Sequence, residues 1–151
     1  MFWLAERTVT TEPVPAVEHV ACDEERARLS LLAREMVYRF SRIRRQADQI
    51  VVENVSLPST LFPGLLERDQ MAEIGVLAKK YRLLLGEATE WISIDTASKT
   101  IANALGVPVG TAILRRDRIV HMRAGRPVEW RTAYGVDPDP LTKLGARLRA
   151  R

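Results

Sequence analysis

The chain repeats part of its pattern at a constant offset of 76 residues, and this repeat limits the folds that it can adopt. Each half carries the same order of predicted strand, helix, strand, turn and strand. Two copies of a unit that cannot bury its apolar side alone would share one core. Identical residues fall on that offset without a gap at Ala21/Ala97, Leu29/Leu105, Arg42/Arg118, Ile43/Ile119, Val52/Val128 and Glu53/Glu129.

Long segments rich in β-branched and aromatic residues predict two hairpins, because each pair is separated by only a few turn-forming residues. The segments are Met36–Arg45 with Gln49–Leu57, and Thr111–Met122 with Pro127–Val136. A short strand is predicted at Val17–Cys22, and helices at 23–29, 69–81 and 96–105. The predicted fold class is α+β: a mostly antiparallel sheet built from two long hairpins, with helices covering one face.

The composition excludes several classes of protein. One cysteine, Cys22, cannot form an internal disulfide, and with only His19 and His121 there is no ligand set for a structural metal or a haem. No Ser/His/Asp or Cys/His arrangement and no glycine-rich phosphate loop is present, so we expect no enzyme activity and no cofactor. Apolar runs are far shorter than the roughly 20 residues of a membrane span, which predicts a cytoplasmic protein.

The positive charge of the chain comes almost entirely from arginine. There are 19 arginines and 4 lysines, and the formal net charge is +4. Such an excess is compatible with nucleic-acid binding through phosphate contacts. Several arginines, however, lie inside apolar strand segments, where the rigid guanidinium fork recognises carboxylates and phosphates.

Strand alternation places Arg42 and Arg44 on one face of the first hairpin. A two-residue turn at Ala47-Asp48 would put Glu53 opposite Arg42, and a turn at Asp48-Gln49 would put it opposite Arg44. Either register gives a carboxylate–guanidinium pair across the strands.

In the second hairpin, Glu129 shares a face with Arg131, and Arg118 shares one with Arg116. Val128, Trp130, Thr132 and Tyr134 form the other side of their strand. Two interpretations of the charged residues stay open: structural ion pairs within the sheet, or the polar part of a small-molecule pocket with apolar walls.

A set of short motifs resembles the UTRA domain, the effector-binding half of GntR-type bacterial transcription regulators of the HutC subfamily. The motifs follow that domain in order and approximate spacing over roughly residues 16–138. They are Arg42-Ile43-Arg44, Glu53-Asn54-Val55-Ser56-Leu57-Pro58, Leu61-Phe62-Pro63-Gly64-Leu65, Tyr81, Leu105-Gly106-Val107-Pro108 with Gly110, Arg118, and Gly125-Arg126-Pro127-Val128-Glu129.

The resemblance implies a chorismate-lyase-like fold, a homodimer, and a small, anionic metabolite that changes the DNA affinity of an attached winged helix-turn-helix domain. It also implies the effector-binding residues, which by motif are Arg42, Arg44, Glu53, Glu129 and, with a shift of one position, Tyr134. The alternatives are a chorismate-lyase-like enzyme and a stand-alone small-molecule-binding protein. No direct contact with a membrane or with DNA is expected.

The resemblance also implies a division of the chain into three parts. The chain departs from the family at two motifs. We expect an N-terminal lead-in over 1–15, the UTRA-like domain over 16–138 and a basic C-terminal tail over 139–151, without room for a winged helix-turn-helix domain. The first hairpin lacks the usual Gly-x-Pro turn. Where relatives open the middle helix with Ser-Leu-Tyr, this chain has Ala72-Glu73-Ile74, which removes a hydroxyl that can contact a phosphate.

Overall fold

A computed structural model of the protein describes residues 10–46, 49–67 and 72–136. In this part of the chain, six strands form one antiparallel sheet in the order β1-β2-β3-β6-β5-β4. The strands are β1 Thr10–Val20, β2 Met36–Gln46, β3 Gln49–Pro58, β4 Leu85–Thr96, β5 Ala112–Met122 and β6 Pro127–Gly135. The helices are α1 Asp23–Leu29, α2 Ile74–Lys80 and α3 Lys99–Leu105, with short 3-10 turns at Ser59–Leu61 and Leu65–Glu67.

The structure confirms the two-copy organisation. β1, α1, β2 and β3 form the first copy, and β4, α3, β5 and β6 form the second. The ranges of α1 and α3 differ by the 76 residues of the sequence repeat. The two copies meet where β3 pairs with β6, so these two strands lie at the centre of the sheet. α2 lies between the copies along the chain and has no counterpart among the described residues.

Helices cover both faces of the sheet, so the expectation of helices on one face alone was wrong. Leu77 of α2 packs with Phe40 and Leu57 on one side, here called the α2 face. On the other side, the α1/α3 face, Leu29 of α1 packs with Trp130, and α3 packs in a separate cluster. The physical reason is that both alternating sets of strand residues include large apolar side chains, so each needs a cover.

The starts of two elements differ from the sequence-based predictions. β1 begins at Thr10, inside the range expected as a lead-in. Because β1 is an edge strand, Pro13 costs it no central hydrogen bond. α3 begins at Lys99 rather than at residue 96, because Ser98 is its N-cap and accepts a hydrogen bond from the Ile101 amide at 3.3 Å.

The first part of the helix predicted over 69–81 and the predicted tail over 139–151 lie outside the described residues, as does the turn at 47–48. Within the ranges that are described, no helix is long and apolar enough to cross a membrane.

Candidate functional site

The two hairpins bring a cluster of charged side chains to the middle of the α2 face. β2 pairs with β3 so that Arg42 lies directly opposite Glu53, which selects the first of the two registers considered from the sequence. β3 pairs with β6, and Val55 lies opposite Arg131. Alternation then puts Glu129 on the same face as Arg131, two residues away. Four of the five predicted site residues, Arg42, Arg44, Glu53 and Glu129, therefore share one face.

Glu53 is the buried centre of this cluster. Its side chain is only 3% exposed, and that of Arg42 only 2%. The Oε1 atom of Glu53 lies 3.2 Å from Nη2 of Arg42 and 2.9 Å from Nε of Arg44, and Oε2 lies 3.9 Å from Nη1 of Arg131. One carboxylate thus lies among three guanidinium groups, which leaves the cluster with an excess of positive charge for a second anionic group to balance.

A second carboxylate reaches the same guanidinium groups from outside the sheet. Glu73, the N-cap of α2, is placed above the strands because Ile74 and Leu77 bury the helix against the α2 face. Its Oε1 atom lies 3.3 Å from Nη1 of Arg42 and is also the partner of Nη2 of Arg44. Sequence reasoning did not place Glu73 in the site.

The other half of the sheet adds arginines that the sequence-based site set omitted. Arg116 and Arg118 project from β5 on the α2 face, and both pair with Glu90 of β4. Arg118 Nε lies 3.5 Å from Glu90 Oε1. Arg118 lies opposite Arg131 in the β5–β6 register. Arg116 and Arg118 therefore adjoin the cluster of arginines around Glu53.

A cavity of about 600 Å³ opens beside these groups, and we call it the arginine cavity. It lies between α2 and the strands of the α2 face. Its charged lining residues are Arg44, Glu53, Glu73, Lys79, Arg118 and Arg131, and its apolar lining residues include Ile74, Leu85 and Val120. A concave site with apolar walls and convergent polar groups is the usual form of a small-molecule site.

Burial changes the protonation behaviour of the cluster. Removal from water lowers the pKa of Arg42 and of Arg44, and the Glu53 carboxylate opposes this shift in both. Glu129 is fully buried, and burial raises the pKa of its carboxyl group although Arg131, Arg42 and Arg118 pull it down. Its Oε1 atom has no hydrogen-bond partner among the residues that the structure describes. Burial therefore favours the neutral form of Glu129.

We expect Glu129→Gln to equal or exceed the unchanged protein in free energy of unfolding at pH 8. An acid with a raised folded-state pKa binds its proton more tightly in the folded state, so its contribution to stability is present at low pH and is lost as the pH rises above the unfolded pKa. Glutamine has no charge to bury and escapes this loss. Urea unfolding at pH 5 and pH 8 measures the free energy of unfolding of both proteins. The expectation is contradicted if the value for Glu129→Gln, relative to that of the unchanged chain, is clearly lower at pH 8 than at pH 5.

Tyr134, the fifth predicted site residue, lies on the opposite face of the sheet. In the β3–β6 register it pairs with Val52, one position away from the Glu53–Ala133 pair, so its side chain joins the α1/α3 face. There it lines a smaller cavity of about 300 Å³ together with Arg115, and its ring centroid lies 5.8 Å from the guanidinium carbon of that arginine. The structure does not bring Tyr134 together with Arg42, Arg44, Glu53 and Glu129.

Strand alternation could have found the additional arginines, because it places Arg116, Arg118 and Arg131 on the face that carries Glu129. No comparable signal exists for Glu73. It lies twenty residues after Glu53 across a loop, and its approach to Arg42 depends on how α2 docks on the sheet.

The family model described as the UTRA domain matches residues 5–136 of the chain. Comparison with curated protein sequences gives no match. Among solved structures, one described as the ligand-binding domain of a GntR-family transcriptional regulator from Bordetella bronchiseptica superposes with a TM-score of 0.76 at 27% sequence identity. The match covers 85% of this chain and 83% of that one.

Two further structures are similar in fold. A GntR-family transcriptional regulator from Enterococcus faecalis V583 has a TM-score of 0.71 at 24% identity, over 83% of this chain and 91% of that one. PhnF from Mycobacterium smegmatis has a TM-score of 0.75 at 17% identity, over 86% of this chain and 58% of that one.

Proposed function

Because the chain belongs to the UTRA-domain family, we propose that this regulatory, effector-binding domain takes a small, anionic metabolite into the arginine cavity. In this proposal the domain belongs to a cytoplasmic GntR-type transcription regulator of the HutC subfamily, and it does no chemistry on its ligand. Arg42 and Arg44 anchor the anionic group from the sheet, while Glu53 and Glu129 orient the ligand or hold the arginines in place.

The observation that carries the proposal is the convergence of arginines on a cavity with apolar walls. Arg44, Arg118 and Arg131 all line the arginine cavity, together with Lys79 of α2. Arg42 lies beneath them at 2% exposure and adds its charge from below. Guanidinium groups bind carboxylates and phosphates through paired hydrogen bonds, so this lining favours an anionic ligand over a neutral or cationic one.

Regulation requires that the ligand distinguish two arrangements of the protein. We propose that the domain works as a homodimer and that DNA is contacted by a winged helix-turn-helix domain outside these 151 residues. A ligand changes DNA affinity only through its different affinities for the two arrangements, with a coupling free energy of typically 1–3 kcal/mol. Sedimentation of the purified chain with and without ligand tests the dimer directly.

A thermal-shift screen against sugar phosphates, amino acids and small carboxylates tests the proposed ligand class. We expect at least one anionic compound to stabilise the protein, by roughly 2.7 kcal/mol at 100 times its dissociation constant. Arg44→Met is expected to lose this stabilisation, because Arg44 lines the cavity and is the arginine of the pair nearer to solvent.

Arg123→Met is the matched control, since Arg123 is an exposed arginine in the turn between β5 and β6. It makes the same change in net charge and is expected to keep the full ligand-dependent shift. A shift in Arg44→Met equal to that of the control would remove Arg44 from the binding site.

A further inference from the structure

Glu73 occupies the centre of the group formed by Arg42, Arg44 and Arg131. Its Oε1 atom lies 3.3 Å from Nη1 of Arg42 and pairs with Arg44, while its Oε2 atom lies 3.4 Å from Nη1 of Arg131. The two oxygens of one carboxylate are thus divided among three guanidinium groups. This is the pattern of contacts that the carboxylate or phosphate of a bound ligand would make with the same arginines.

Arg42 and Arg44 keep one structural counter-charge without Glu73. Glu53 already pairs with Arg42 and Arg44 from within the sheet, and it is buried. Glu73, by contrast, is 40% exposed. Water therefore competes for the Glu73 carboxylate, whereas its arginine partners are largely buried. The Glu73 carboxylate can turn out into solvent when another anion takes its place beside these arginines.

The backbone of Glu73 holds its place independently of the side chain. The Glu73 carbonyl accepts hydrogen bonds from the amides of Val76 and Leu77, both at 3.0 Å, and so begins α2. The next residue, Ile74, is buried against the sheet. Rotation of the Glu73 side chain about its own bonds would therefore clear the arginines without moving the helix.

We propose that Glu73 is a built-in competitor for the anion site, and that the anionic group of the effector displaces its carboxylate. This inference rests on the proposed function and deepens it by stating the charge of the ligand group. Once Glu73 has turned away, the five arginines of this face, Arg42, Arg44, Arg116, Arg118 and Arg131, face the three carboxyl groups of Glu53, Glu90 and Glu129. Two positive charges are then left to balance, so the site favours a dianionic group such as a phosphate monoester over a monocarboxylate.

Calorimetric titration of the whole chain with inorganic phosphate at pH 7.5 tests the inference, with acetate as the monoanionic comparison. We expect Glu73→Gln to bind phosphate about ten- to hundredfold more tightly than the unchanged chain, because the internal carboxylate no longer competes for charged donors. Glu73→Asp keeps the charge but withdraws it by one methylene, and it is expected to fall between the two. In Glu73→Gln, phosphate is expected to bind more tightly than acetate.

Glu18→Gln is the control variant. It removes one negative charge from an exposed position on the edge strand β1 and should bind phosphate as the unchanged chain does. Circular dichroism confirms that each variant is folded.

The outcomes separate this inference from the proposed function. Equal phosphate affinity in the unchanged chain and in Glu73→Gln overturns the role of Glu73 as a competitor but does not contradict the proposed anion site. Weaker binding by Glu73→Gln makes Glu73 part of the ligand site and also overturns the inference. Failure of every variant to bind phosphate overturns the inference together with the proposed anion site.

Discussion

Glu25→Gln is expected to lower the free energy of unfolding at pH 7 by about 3 kcal/mol, which is the free energy equivalent of the pKa shift of this carboxyl group. Glu25 lies in α1 and is buried against the α1/α3 face. Burial alone would raise its pKa, but hydrogen bonds from Arg39, the Cys22 amide, Ser56 and His19 outweigh burial and lower the pKa from 4.5 to about 2.

The contacts explain why the charged form of Glu25 is so strongly favoured. Oε1 accepts from Nη2 of Arg39 at 2.8 Å and from the Cys22 amide at 3.0 Å. Oε2 accepts from the Ser56 hydroxyl at 2.7 Å and from Nε of Arg39 at 3.1 Å. His19 Nε2 lies 3.1 Å from Oε1. One carboxylate therefore joins β1, β2 and β3 to the start of α1, and glutamine cannot accept at both terminal positions.

The pH dependence follows from the direction of the shift. A carboxyl group whose folded-state pKa lies below its unfolded value contributes its stability fully above the unfolded pKa and loses it as the pH falls towards the folded pKa. For Glu25 this window runs from pH 4.5 down to about 2. The unchanged chain should lose stability across that window, and Glu25→Gln should lose less.

Urea unfolding at pH 7 and at pH 3 measures both effects. Glu24→Gln is the control, because Glu24 lies next to Glu25 in α1, is half exposed, and has its arginine partners only at 3.9 Å. Its loss at pH 7 should stay below about 1 kcal/mol. If Glu25→Gln were as stable as Glu24→Gln at pH 7, the hydrogen bonds to Glu25 would not carry the stability assigned to them.

The sequence predicted the two hairpins and the side chains that share each face of the sheet, because both follow from the two-residue period of a β-strand. Alternation fixed which side chains share a face, and the short turn restricted Glu53 to a position opposite Arg42 or Arg44. The structure confirms the Arg42–Glu53 register. The 76-residue repeat predicted the equivalence of the two halves, which the matching ranges of α1 and α3 confirm.

The roles of Glu25 and Glu73 could not be predicted, since both depend on helix docking. Glu25 meets Ser56 across 31 positions of sequence, and Glu73 meets Arg131 across 58. Helical period indicates which side of a helix is apolar, but it does not indicate where on the sheet the helix lies or which face it covers. The same uncertainty underlies the wrong expectation that one face alone carries helices.

Tyr134 shows how alternation limits a motif-based assignment. The resemblance assigned it to the site through a shift of one position, and in a strand a shift of one residue moves a side chain to the other face. The structure places Tyr134 beside Arg115, in the cavity opposite the arginine cavity. Whether it contacts an effector stays a prediction, and on this geometry it would do so in the 300 Å³ cavity.

The repeat also explains why the site contains two unequal acids. Glu53 and Glu129 occupy equivalent positions of the two copies, as do Arg42 and Arg118. Glu53 lies among Arg42, Arg44 and Arg131, whereas burial raises the pKa of Glu129. The difference arises from strand register: β2 places Arg42 directly opposite Glu53, whereas in β5 Arg118 lies opposite Arg131 and Val120 lies opposite Glu129. Glu53 therefore has an arginine as its cross-strand neighbour, and Glu129 has an apolar side chain.

Arg42→Met is expected to lower the free energy of unfolding by about 3–5 kcal/mol, the usual cost of removing one partner of a buried ion pair. Arg42 is 2% exposed, lies 3.2 Å from Glu53, and attracts the buried Glu129. Methionine restores most of the volume but no charge, so both acids lose a neighbouring cation that burial prevents water from replacing. Arg44→Met is the comparison, because Arg44 is more exposed, water can solvate its partner Glu73, and its other partner, Glu53, keeps Arg42 as a neighbouring cation.

The Arg42→Met/Glu53→Gln double variant decides whether the loss reflects the buried charge or only packing. If it reflects an uncompensated carboxylate, removing that charge should recover part of the stability, and the double variant should be more stable than Arg42→Met alone. Chemical denaturation at pH 7 of the unchanged chain, Arg42→Met, Glu53→Gln and the double variant gives the coupling free energy between Arg42 and Glu53. Additive losses would mean that Arg42 and Glu53 do not interact measurably, and the charged centre of the sheet would then have to be assigned to Arg44 and Arg131 alone.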